Sequence, residues 1–395
     1  MTSQRIQRLM GVVSPVTRFL LDSTYARHHD EPGSYDFAIG NPHELALPEF
    51  VSALQRQLPP QSESWYGYTT GLPEAQAAAA RALSQRRGQS FAPEDILLTN
   101  GAFAALVVAL TVVADPGDEV IFISPPWFFY EALIAAAGAV PVRVKVRPGT
   151  FDLDLDAIAA AITPRTCAIL INSPNNPTGK IYPPETLAGL GALLTQASAR
   201  HGRTITLLSD EAYSRILYDR RPFHSPTAFY PSSLLLYTYG KTLLTPGQRL
   251  GYIALPPGLP DRERLRSAIF VAQVVSGFAF PNALLQHALP ELEGVSIDMA
   301  HLQHKRDWMV GELRRIGYEL HAPDGTFYLL PRSPLADDWA FAERLAEKKI
   351  YVLPGAVVEL PGYFRISLTA NDQMIEQALP GFAAALEEAR RAQPA

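Results

Sequence analysis

The sequence predicts an α/β protein: a large domain on a mainly parallel seven-stranded sheet, with a smaller C-terminal α/β domain. Three observations lead there. Short β-branched runs alternate with helical segments along the middle of the chain. Those runs are apolar at nearly every position, as strands covered on both faces require. After about residue 285 the rhythm changes to a long polar helix region and then short strands. The expected division is a large domain over residues 46–285 and a small domain made of 1–45 together with 286–395.

The elements follow in order. PEAQAAAARALSQRRG (Pro73 to Gly88) opens on proline, carries arginines in its last turn and stops at glycine, so it reads as a helix. DILLT follows as a strand ending at Thr99, and AFAALVVALTVVAD as a helix. EVIFIS ends at Ser124, AVPVRVKV at Val146, TCAILIN at Asn172, TITLLSD at Asp210 and SLLLYT at Thr238, while RLGYIAL begins at Arg249. These complete the seven strands. Beyond them lie the helix HLQHKRDWMVGELRRIG, the run TFYLLP, a helix closing near Lys349, then YVLPG, YFRISLT and a last helix.

Composition narrows the function. Hydrophobic residues make up 47% and charged residues 18% of 395, which excludes a disordered chain. The net charge of −5 is mild and no long basic run occurs, so no nucleic acid partner is expected. The one cysteine, Cys167, excludes an intrachain disulfide framework and reads as a small buried hydrophobe in its strand. The longest apolar stretch, Ala104 to Ala114, falls short of the roughly 18 residues a membrane span needs. The N-terminus has no uninterrupted apolar region, so no signal peptide is expected and the cytoplasm is the expected compartment.

In such sheets ligands bind beyond the carboxyl ends of the strands. The chemistry collects there. Asn100-Gly101-Ala102 opens a helix whose free N–H groups and positive dipole end suit a phosphate. Trp127 follows Ser124-Pro125-Pro126 and offers a flat face. SPNNPTGK, directly after the fifth strand, holds Asn176 between two prolines. Asp210 and Tyr213 stand in SDEAY, Thr238 and Lys241 in TYGK, and Arg249 eight residues later. An aromatic face, a phosphate cradle, a carboxylate and a lysine suit pyridoxal 5′-phosphate. The amine must condense with an aldehyde, and a carboxylate near the pyridine nitrogen keeps it protonated so that the ring accepts electrons.

The motifs NNPTGK, SDEAY, the Lys241 segment, Arg249 and YFRISLT occur in one order from about Gly40 to Arg365. In this the chain resembles the class I/II, fold-type I pyridoxal-phosphate aminotransferases, the aspartate aminotransferase-like family. The resemblance implies that Lys241 is the Schiff-base lysine and proton shuttle. It implies that Asp210 pairs with the pyridine nitrogen, that Tyr213 and Asn176 contact O3′, and that Trp127 stacks on the ring. Gly101, Ala102, Phe103, Thr238 and Arg249 would form the phosphate site. Arg365 would grip the substrate α-carboxylate, Gly40 would border the substrate, and Tyr66 would reach the phosphate of the neighbouring subunit of a homodimer. The implied reaction moves an amino group from an L-amino acid to a 2-oxo acid by a ping-pong mechanism. A lyase, decarboxylase or synthase of the same fold is the alternative. Two positions depart from the family pattern: Phe103 replaces a small or hydroxyl residue, leaving only its backbone N–H for the phosphate, and Gly240 replaces a serine.

Plainer readings compete. Gly240-Lys241-Thr242 imitates a nucleotide P-loop, but the glycine needed at position 235 is leucine. Gly189-Leu190-Gly191 starts a dinucleotide fingerprint, yet Leu194 takes the third glycine position, so packing is expected. His301 and His304 lack a third metal ligand and read as a solvated helix face. Asp210 and Asn176 taken singly also read as turn caps, Trp127 as core and Arg249 as a surface pair. An arginine inside an apolar strand, Arg365, needs a partner. An effector domain of a transcription regulator would expect a DNA-binding module ahead of the fold and a lost lysine; Gly40 leaves no room for the first, and Lys241 is present. The stretch QVVSGFAFPN (Gln273 to Asn282) carries no second arginine for a dicarboxylate, which leans towards neutral or aromatic amino acids.

Overall fold

Twelve strands organise the chain in the computed structural model, which describes residues 1–392. In chain order they are β1 (Tyr35–Asp36), β2 (Ile96–Thr99), β3 (Glu119–Ser124), β4 (Val140–Lys145), β5 (Thr166–Asn172) and β6 (Thr206–Asp210). Then come β7 (Ser233–Thr238), β8 (Gly251–Ala254), β9 (Tyr328–Leu329), β10 (Ile350–Tyr351), β11 (Leu353–Pro354) and β12 (Phe364–Ser367).

Seven of them form one sheet in the order β2-β8-β7-β6-β5-β3-β4, in which β8 alone runs antiparallel to its neighbours. Burial on both faces follows from alternation along each strand. Leu234 and Leu236 of β7 join one apolar cluster, while Leu235 and Tyr237 join another on the opposite face. Ile169 and Ile171 of β5 likewise oppose Ala168 and Leu170. The helix Gly101–Val113 is apolar nearly all round because it lies inside this core, with Leu106, Val108 and Leu110 buried.

Register brings the strand ends level. Asn172 pairs with Asp210 across β5 and β6, and Thr99 and Thr238 are both partners of Gly251. One rim of the sheet thus presents the end of every strand that the sequence marked for chemistry. Gly251 is required there, since a Cβ would meet the Tyr237 carbonyl oxygen at 2.3 Å.

A second core packs around the short sheet β11-β12-β9 and the pair β1-β10. Phe364 and Ile366 of β12 point into it with Phe327, Leu329, Phe341 and Phe382. The N-terminal segment takes part: β1 pairs with β10, and Phe37 lies in the same cluster. The helix Ala283–Leu292 packs as a whole into the core of the large sheet through Leu285, Ala288, Leu289 and Leu292, so the expected 285/286 division falls within it. Residues 393–395, the end of the expected small domain, lie outside the described residues.

The Gly189-Leu190-Gly191 run lies in the helix Pro184–His201, where a Cβ on Gly191 would sit 2.2 Å from the Phe229 carbonyl oxygen; its glycines serve close packing. Among the described residues no helix is long and apolar enough to cross a membrane.

Candidate active site

A cavity of about 270 Å³ opens at the level rim. Gly40, Ala102, Phe103, Trp127, Asn176, Asp210, Tyr213, Thr238, Lys241, Arg249 and Arg365 all line it. Residues from six strand ends, the loop at Gly40 and the distant strand β12 therefore converge on one space.

Each arrives by a local reason. β7 ends at Thr238, whose hydroxyl accepts from the Gly240 amide at 3.4 Å and caps the short helix Tyr239–Thr242. That helix carries Lys241, whose Nζ stands 5.7 Å from both the Tyr213 and Phe327 ring centres. Its amine makes no hydrogen bond or ion pair among the described residues. The turn after β5 is fixed by Asn172: its Oδ1 accepts from the Asn176 amide at 2.7 Å, and its Nδ2 donates to the Asp210 carbonyl at 2.9 Å. The prolines and this amide pair together aim Asn176 inward.

Asp210, at the end of β6, is buried. It accepts from the Tyr130 hydroxyl at 2.6 Å and from the Ala212 amide at 3.1 Å. Burial pushes its carboxyl above the usual range, and the two hydrogen bonds and the charge of Lys241 only partly oppose this. Such a carboxylate still lacks a cationic partner in contact.

At the opposite flank, the helix Gly101–Val113 starts without a side-chain cap from Asn100, so its first amides stay available to an anion. Gly101 adopts φ +76°, and a Cβ there would lie 2.5 Å from Nη2 of Arg249. The guanidinium of Arg249 makes one hydrogen bond, to the Pro246 carbonyl at 2.7 Å, and no ion pair among the described residues. A helix start and an uncommitted arginine thus share one corner.

Arg365 reaches the cavity because alternation along β12 sends it opposite to Phe364 and Ile366. It is 2% exposed. Its Nη1 donates to Asn176 Oδ1 at 2.9 Å and its Nη2 to the Ala38 carbonyl at 2.8 Å, while its buried Nε has no partner. The guanidinium lies 4.1 Å over the Tyr328 ring. Gly40 leaves room for that ring, since a Cβ would come 2.7 Å from the Tyr328 hydroxyl.

Tyr328 was not singled out from the sequence, although it sits in the quoted run TFYLLP. Its hydroxyl is 3.4 Å from that of Tyr213. Burial raises the Tyr213 phenol well above its ordinary value; for Tyr328 burial is outweighed by the nearby charges of Lys241 and Arg365, which lower it. Tyr130, Asn172, Ile39 and Phe128 were also missed, and all line the cavity. The signal for two of them was the aromatic run WFFY directly after β3. Tyr66 lies apart from the cavity: it is exposed, and its hydroxyl donates to the Leu58 carbonyl.

The residues present fit pyridoxal phosphate: an unpartnered amine, a buried carboxylate short of a cation, an anion corner and an orphaned arginine Nε in one cavity. Comparison with known proteins agrees. The sequence profile of class I and II aminotransferases matches residues 33–382. The chain belongs to this family. It is 32% identical to the aspartate/prephenate aminotransferase of Thermus thermophilus over 88% of its own length and 89% of the relative's. An aspartate aminotransferase of Thermotoga maritima is 29% identical over 88% of each chain. Among solved structures, an aminotransferase from Eubacterium rectale superposes with a TM-score of 0.90 at 31% identity, covering 98% of this chain and 99% of that one. The chain is accordingly a pyridoxal-phosphate-dependent aminotransferase with small-molecule substrates, and its α/β fold is the one expected.

Proposed function

We propose that the chain transfers the amino group of an L-amino acid to a 2-oxo acid in two half-reactions at this cavity, with the first product leaving before the second substrate binds. The observation that carries the reading is Lys241, an unpaired amine sharing one cavity with Asp210, Arg249 and Arg365. The chemistry that pyridoxal phosphate supplies when bound is an aldehyde that takes up amino groups and a ring that takes up the electron pair left at Cα.

The chain's own residues do the rest. Asp210 would hold a proton on the pyridine nitrogen, and Tyr130, which donates to its carboxylate, keeps that group oriented. Arg249, Thr238 and the first-turn amides at Gly101, Ala102 and Phe103 bind the phosphate. Trp127 would cover one face of the ring, while Tyr213 and Asn176 would hydrogen-bond its O3′. Arg365 takes the substrate α-carboxylate, with Asn176 and Ala38 fixing its fork and Gly40 bordering the space. Lys241 Nζ would accept the proton from the substrate Cα and hold it for its later return. The same residues would serve a lyase or a decarboxylase, and the relatives' names favour transamination.

The active form in this reading is a homodimer in which Tyr66 reaches the neighbouring phosphate. Its support is the position of Tyr66 outside its own cavity and the exposed Phe270, Val271, Val274, Val275 and Phe280. Sedimentation of the holoenzyme checks this; a monomer with full activity would exclude it.

The test of the reaction is the absorbance of the holoenzyme before and after single L-amino acids, with no oxo acid present. A stoichiometric shift to the amine form of the cofactor, with release of one 2-oxo acid, is expected. Parallel lines in double-reciprocal plots should follow. Turnover by Lys241→Ala without added amines would sink the assignment.

A further inference from the structure

The amino acid side chain must sit somewhere in this cavity, and the lining says what kind it is. This rests on the aminotransferase reading. We infer that the substrate side chain packs against an uncharged wall of Ile39, Phe128, Trp127 and Phe103, and that the preferred substrate is an L-amino acid with an apolar aromatic or large aliphatic side chain.

Charge comes first. Three cationic side chains line the cavity: Lys241, Arg249 and Arg365. The reaction commits all three, to the amine exchange, the phosphate and the α-carboxylate. Among the described residues no fourth cation lines it. A second carboxylate on the substrate would lose its water and gain no cationic partner from this chain, which is a steep cost for an ion.

Position comes second. The Arg365 fork is anchored on the Ala38 carbonyl at 2.8 Å, and the next residue, Ile39, faces the cavity. Ile39, Phe128 and Phe129 pack together on the apolar cluster of the N-terminal segment. A side chain on an α-carbon held by Arg365 therefore starts beside Ile39 and Phe128. Aromatic surface continues from there. The Trp127 ring centre is 6.1 Å from that of Phe128 and 5.1 Å from that of Phe103, which meets it edge-on.

Exposure comes third. Phe103 is 38% exposed, on a helix whose neighbouring residues Ala102, Ala104 and Ala105 are buried. Phe128 and Trp127 are only partly covered by the protein. Apolar surface held open inside a cavity gains from an apolar ligand, and aromatic edges suit a ring in particular.

The experiment uses the holoenzyme and two readouts. In single turnovers, L-phenylalanine and L-leucine should convert the cofactor with kcat/KM at least about tenfold above L-aspartate and L-glutamate, since burying one such side chain is worth roughly a factor of ten or more. In equilibrium titration, unreactive 3-phenylpropanoate should bind more tightly than succinate by a similar factor. Phe128→Arg should lower the preference for phenylalanine over aspartate about tenfold or more. Faster conversion of the acidic amino acids, or tighter binding of succinate, overturns the inference. If no amino acid converts the cofactor but 3-phenylpropanoate still outbinds succinate, the apolar wall stands and the transamination reading falls. If neither conversion nor binding occurs, both fall.

Discussion

Tyr130 donates its hydroxyl to Asp210 at 2.6 Å, from the first turn of a helix to the end of β6. This bond partly stabilises a carboxylate that burial disfavours and that no cation contacts. Without cofactor, burial therefore disfavours the ionised form of Asp210, and the two hydrogen bonds and the charge of Lys241 oppose this only in part. In the proposed reading a protonated pyridine nitrogen would relieve that conflict, so this residue would add to cofactor affinity while its burial costs the free protein stability.

Asp210→Asn tests both consequences. A carboxyl raised on folding binds more protons in the folded state than in the unfolded one, between its two pKa values. Stability gained from it is present at low pH and lost as pH rises through the folded value. Burying this carboxyl thus costs the cofactor-free protein stability as pH rises above the ordinary carboxylate range. The amide should raise the Tm of that protein at pH 7 while weakening cofactor binding at least about tenfold, roughly the 1.4 kcal/mol of a missing charge-assisted bond. A lower Tm without cofactor would contradict the argument.

Arg365→Lys keeps the charge and removes the fork. One ammonium does not reproduce donors placed at both Asn176 and Ala38, nor the guanidinium plane over Tyr328. KM for the amino acid should rise about tenfold to a hundredfold, with the cofactor's absorption band retained. Loss of the band would mean that Arg365 holds the cofactor site together rather than the substrate.

Most of this was legible because the strand ends are loaded with polar residues that a buried rim does not otherwise tolerate. The seven strands read from apolar runs, and the order of Asn176, Asp210, Lys241, Arg249 and Arg365 gave the chemistry. Tyr130 and Tyr328 were not legible. Each lies in a run of aromatics, WFFY and TFYLLP, where hydroxyl-bearing and purely apolar rings look alike until packing decides which one turns towards Asp210 or Arg365. Ile39 had no local signal at all, and the run WFFY did not single out Phe128, since their role follows from where Ala38 and Arg365 meet.

Cys167 should be chemically silent. It lies at 2% exposure in β5, and burial, with the nearby charge of Asp118 adding, pushes its thiol up to about 12. At pH 8 the thiolate fraction is then on the order of 10⁻⁴. Native protein should not react with an aromatic disulfide reagent over an hour, and unfolded protein should release one equivalent, matching its one cysteine. Rapid labelling with loss of activity would place the thiol at the surface and disprove the packing described for β5.

Gly101→Ala probes the phosphate corner. The residue sits at φ +76°, where a side chain costs about 1–2 kcal/mol, and its new Cβ would stand 2.5 Å from Nη2 and 2.9 Å from Cζ of Arg249. The guanidinium must move, or the helix start must. Either shift misaligns the arginine with the first-turn amides, which act together only if both point at one anion. Pyridoxal phosphate should therefore bind about tenfold or more weakly, while pyridoxal, which lacks the phosphate, should lose little. The ratio of the two affinities is the quantity to measure. If it is unchanged, the substitution has distorted the cavity as a whole, and the assignment of Gly101 and Arg249 to the phosphate is wrong.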